Sequence, residues 1–125
     1  MTSEVLCHIG HLLYAIAKAD KTLSYEEYVK MSHSLDKHWS FLGKSGISQI
    51  KAQFNSLQKS NASATKCFED FMGYYGQNEE KFNEDLKRLI LKTANEIAYA
   101  FSKINKSELH FMARLSLAFK NTSNN

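Results

Sequence analysis

Proline is absent from this 125-residue chain. Proline removes an N–H and clashes with the preceding turn, so a chain without it can run uninterrupted helices. Cysteine is scarce: Cys7 and Cys67 form no CxxC pair and are too few for a disulfide framework. Each sits in an apolar pattern where a free thiol acts as a small hydrophobe, and a reducing, cytoplasmic location is expected. No apolar run approaches the roughly 20 residues that cross a bilayer. Insertion is therefore not expected, although surface association with a membrane stays open. Glu4 and Lys18 argue against a secretory leader at the start of the chain. A strong charge of one sign is also missing. The formal net charge is +3, and lysines alternate with acids along the chain, which fits solvated helix faces and not a nucleic-acid footprint.

What is present is helical periodicity. Val5, Ile9, Leu12, Leu13 and Ile16 predict a helix over 3–19. Ser24 and Glu27 form a capping-box pattern, with Glu26 and Glu27 facing the positive end of the dipole, and predict a helix over 25–38 with Tyr28, Met31 and Leu35 inward. Residues 39–46, with Gly43 and Gly46, read as a loop. Helices are expected over 47–58 (Ile47, Ile50, Phe54, Leu57) and 64–75 (Phe68, Phe71, Met72, Tyr75), the second ending near Gly76. Asn78 is the expected cap of a long helix over 79–102 that carries Phe82, Leu86, Leu89, Ile90, Thr93, Ile97 and Phe101. Asn105 and Glu108 repeat the capping pattern before a helix over 106–119, and a frayed tail follows from Asn121. In this last helix Leu109, Met112, Ser116 and Phe119 mark one face, and Phe111, Leu115 and Ala118 another. That pattern predicts a helix in the middle of the bundle, or one with a side turned to a partner or a second copy.

The expected fold is all-α: a single domain over 1–125, a compact bundle of about six helices containing two related helix–turn–helix units. The relation shows when Ile16–Met31 is laid over Ile97–Met112. Ile16, Ala17, Ala19, Glu27 and Met31 meet identical residues, Leu23 meets Ile104, and the caps Ser24 and Asn105 coincide. The same local unit is specified twice, as an internal repeat requires.

The stretch from Ala17 to Glu27, with Asp20, Leu23, Ser24 and Glu27 after an alanine-rich helix end, resembles the signature of the TerB-like, or tellurite-resistance, family. Ala98 to Glu108 is similar to a degenerate second copy. Lys21 stands where the family has glycine, and Phe101 where a second aspartate would fall. The resemblance implies a helical stress-associated module, of the kind found in a cytoplasmic tellurite-resistance protein and in a membrane-anchored DnaJ-like co-chaperone. It also implies an ion site at Asp20, Glu27 and Glu108, with a divalent cation as the candidate cofactor.

The residues themselves leave two roles open for these acids. Three carboxylates could begin a hard-cation site, or Glu27 and Glu108 could be capping acids while Asp20 shapes a turn. An EF-hand is excluded, because Tyr25 and Met31 occupy the sixth and twelfth positions counted from Asp20. Cys7, His8 and His11 suggest zinc only weakly, since no second ligand pair matches them, and a surface or boundary role is expected. Phe71, Tyr74 and Tyr75 are phased as core residues. No nucleophile–base pair, phosphate loop or dinucleotide fingerprint occurs. The expectation is a non-catalytic module that binds a protein partner or itself, with possible ion dependence, and no nucleic acid. The alternatives are a metal-dependent enzyme using the clustered carboxylates and a structural oligomer subunit.

Overall fold

The structure is a computed structural model that describes residues 1–19, 23–99 and 105–123. Its helices are α1 (Ser3–Lys18), α2 (Tyr25–His38), α3 (Gly43–Lys59), α4 (Ala64–Gln77), α5 (Glu84–Ala98) and α6 (Lys106–Ser123), with short 3-10 turns at Ser40–Leu42 and Glu79–Lys81. The described residues contain no strand, as expected of an all-α chain.

α1 is the centre of the bundle. It starts at Thr2, whose hydroxyl accepts from the Val5 N–H at 3.2 Å. It then buries Val5, Leu6, Ile9, Gly10 and the whole run Leu12–Ala17, and it touches all five other helices. The middle position therefore falls to α1 and not to α6. The apolar residues that α6 buries, Phe111, Met112, Leu115 and Phe119, lie on one side of the helix and form one stripe, so the two faces expected for this helix merge. Leu109, placed inward by the sequence, stands 49% exposed on the opposite side with Leu117. α2 packs on α5 and α6 on α1, so each helix–turn–helix unit embraces the other, while α3 and α4 cover the rest of α1.

Several boundaries differ from expectation, and burial of Trp39 and Phe82 accounts for two of them. The segment 39–46 is not a loop: Trp39 is fully buried, the chain turns tightly at Ser40–Leu42, and α3 begins at Gly43. Gly43 adopts φ +73°, a conformation that suits glycine. Asn78 ends α4 instead of starting α5, and its side-chain amide donates to the Tyr74 carbonyl at 2.9 Å. Phe82 is drawn into the core next, so α5 starts later, where Asn83 Oδ1 accepts from the Leu86 N–H at 2.8 Å. α4 runs past Gly76, and α6 extends to Ser123, beyond the expected end at 119. Phe101 lies outside the described residues.

Long-range polar contacts fix the helices around α1. Tyr14 donates to the Ala62 carbonyl at 2.8 Å, and Lys18 Nζ donates to Asn61 Oδ1 at 2.7 Å, both in the turn between α3 and α4. Trp39 Nε1 donates to Thr93 Oγ1 at 2.8 Å in a buried contact that ties the end of α2 to α5. An aromatic cluster joins α4 to α6: Phe68 stacks on Phe111 with centroids 4.4 Å apart, and Tyr75 meets Phe119 edge-on at 4.9 Å.

Two substitutions test this packing. Thr93→Val keeps shape but strands the Trp39 N–H, and it is expected to lower unfolding stability by about 1–3 kcal/mol in urea titrations. Gly10→Ala forces a Cβ to within 2.9 Å of Gln53 Cβ and 3.1 Å of the Ile50 carbonyl, and a loss of about 1–3 kcal/mol is expected by the same measurement.

Candidate functional site

The start of α6 meets the end of α1. In the first unit Ser24 Oγ accepts from the Glu27 N–H at 3.2 Å, and Glu27 Oε1 accepts from the Ser24 N–H at 3.1 Å. In the second, Asn105 Oδ1 accepts from the Glu108 N–H at 2.8 Å, and Glu108 Oε1 accepts from the Asn105 N–H at 3.3 Å. Both are reciprocal capping boxes, as their sequences require. Glu27 is 5% exposed and Glu108 fully buried, unusual settings for acids that cap exposed helix ends.

The units are stitched together by the second cap. Asn105 Nδ2 donates to the Ala19 carbonyl at 2.7 Å, across 86 residues of sequence. The carbonyls at a helix C-terminus lack intrahelical partners, and this bond satisfies one at the end of α1. It also sets the start of α6, and with it the Glu108 capping box, against the residue that precedes Asp20. Asp20 itself lies outside the described residues. Among the described residues, no three His, Cys, Asp or Glu side chains are grouped to hold a metal ion.

A second polar centre lies between α2 and α5. Glu96 Oε1 accepts from Ser34 Oγ at 3.0 Å, and Glu96 Oε2 lies 2.7 Å from His38 Nε2. Partial burial is the strongest single influence on the Glu96 carboxyl and pushes its pKa up. Hydrogen bonds from His38 and Ser34, with the charges of His38 and Lys37, together outweigh burial and hold it below its usual value. No local signal revealed this centre, because its members are 58 and 62 residues apart in sequence.

The histidines of α1 are half-buried, as expected of boundary residues. His8 Nδ1 lies 2.8 Å from the Glu4 carbonyl and His11 Nδ1 lies 3.0 Å from the Cys7 carbonyl, so each Nδ1–H donates to the preceding turn. His8 also stacks on Tyr74 with centroids 3.9 Å apart. Burial, followed by the charge of Asp70, pushes the Cys67 thiol up to about 11, and burial with Glu4 raises Cys7. Both thiols stay protonated near neutrality and are poor nucleophiles.

An all-α bundle with two cross-linked, similarly capped helix–turn–helix units defines a class of helical repeat module. The family model described as tellurite resistance protein TerB matches residues 7–123. The chain belongs to that family. No curated protein and no solved structure gives a significant match.

The pH response follows from Glu96. Its folded pKa is depressed, so its contribution to stability is present above the unfolded value near 4.5 and disappears as pH falls through the lower folded value. Glu96→Gln is expected to melt below the parent at neutral pH, and the gap is expected to narrow through that acid range. Thermal melts across pH check both points.

Proposed function

We propose that the chain is a non-catalytic binding module whose turn end takes a divalent cation and engages a protein partner in a cation-dependent way. The setting is a cytoplasmic stress response of the tellurite or oxidative type. The Asn105–Ala19 bond is the observation that carries this reading, because it brings the second capping box to the end of α1, next to Asp20 in the sequence. Asp20, Glu27 and Glu108 would hold the ion. Carboxylate oxygens are the donors that Ca²⁺ and Mg²⁺ take, and the capping boxes hold two of the three in fixed orientation. Phe101 stands at the counterpart of Asp20, so binding is weighted toward Asp20 and Glu27.

Calorimetric titration and thermal melts with Ca²⁺, Mg²⁺, Mn²⁺ and Zn²⁺ test the proposal. A ligand that binds the native state stabilises it by about 2.7 kcal/mol at one hundred times its Kd. At least one cation is expected to raise the melting temperature, and Asp20→Asn to remove the rise. A flat response to all four rejects cation dependence.

Self-association is a second reading, favoured by the outward Leu109 and Leu117 of α6 with exposed Ala113 between them. A larger mass in light scattering, reduced to the monomer by Leu117→Glu, is expected if it holds. A monomer at every concentration rejects it.

A further inference from the structure

The centre around Glu96 forms the floor of a cleft with its own chemistry. Lys30, His33, Ser34 and Lys37 are spaced three, four and seven apart, so α2 presents them as one stripe. Lys30, His33, Ser34 and Lys37 line a cavity of about 230 Å³ together with Glu96. A neighbouring cavity of about 380 Å³ is lined by Lys30, Asn95, Glu96 and Tyr99. The two share Lys30 and Glu96, so they form one groove between α2 and the end of α5.

Charge in this groove is unbalanced. Glu96 is the only acid lining it among the described residues, and its carboxylate already accepts from Ser34 and faces His38. Lys30, His33 and Lys37 form no hydrogen bond or ion pair among the described residues. Two lysine ammoniums and an imidazole therefore line one small cavity with a single carboxylate, which Ser34, His38 and the charge of Lys37 already engage. Tyr99 stands 62% exposed at the far end and offers an aromatic face.

We propose that the α2–α5 groove binds a small phosphorylated ligand, its phosphate held by Lys30, His33 and Lys37 and a flat ring lying on Tyr99. Lysine is a point-charge partner for phosphate and tolerates the open geometry of a shallow cleft. Stacking on an exposed aromatic is favourable for any planar ring, so the same groove reads charge at one end and shape at the other. The lining of the groove includes none of Asp20, Glu27 and Glu108, so its test is independent of the cation reading.

Calorimetric titration of the full chain with inorganic phosphate and with phenyl phosphate, at low ionic strength, tests the proposal. Saturable binding of both is expected, with phenyl phosphate tighter by at least about fivefold. The Lys30→Ala/Lys37→Ala double variant changes two exposed residues, and its thermal melt verifies folding. It is expected to weaken both ligands by about tenfold or more. Tyr99→Ala is expected to remove the advantage of phenyl phosphate and leave inorganic phosphate unchanged. The proposal is overturned if neither ligand saturates, if the folded double variant keeps full affinity, or if the two ligands bind equally. A short glutamate peptide that binds more tightly than phenyl phosphate also overturns it and assigns the groove to an acidic protein segment.

Discussion

Covering α1 on every side forces the rest of the molecule into place. A helix in that position needs apolar or small residues around most of its circumference, and the run Leu12–Ala17 supplies them without a break. It also needs room where neighbours press closest, which Gly10 gives to α3. The end of such a helix is shielded from water, so its last carbonyls must find protein donors. Asn105 supplies one across the bundle. The cap of the second unit thus starts its own helix and closes the end of the first, which couples the two halves of the repeat through a single side chain.

Much of this architecture could be read along the chain because its causes are local. The α2 boundaries follow from one capping box and one apolar stripe, and they agree with expectation at both ends. The doubled capping pattern is geometrically the same in both units. Local rules failed where two signals competed. Asn78 and Asn83 both precede acids and both suit a cap. The choice between them was made by Phe82, whose burial required an extra turn. Trp39 and Gly43 looked like loop residues because nothing nearby reveals that Thr93 waits for the indole. The outward Leu109 could not be told from its inward neighbours, since the period of a helix lets a single apolar residue belong to either of two stripes.

Chemistry was less legible than the fold. Glu27 and Glu108 stood out because a capping box has a fixed spacing, and the structure places both in that role. Their depth was not readable, because it depends on how the second unit is laid against the first. Glu96, Ser34 and His38 carried no pattern at all. They are brought together by the α2–α5 contact, and each alone reads as an ordinary polar residue on a helix face. Lys30, His33 and Lys37 stand at helical spacing, which alone marks only a solvated face of α2. The groove they line with Glu96 arises only from the packing of α2 on α5, a property of the tertiary structure.

Trp39 has one more consequence. It is the only tryptophan in the chain, it is fully shielded from solvent, and its indole N–H is held by a residue of the neighbouring helix. The fluorescence of the protein therefore comes chiefly from one chromophore at the seam where α2 meets α5. The preceding residue in the chain, His38, lies against Glu96 at the floor of the α2–α5 groove. The molecule thus carries an intrinsic optical reporter beside that groove, and loosening of the seam would register as a red-shifted emission without any added label.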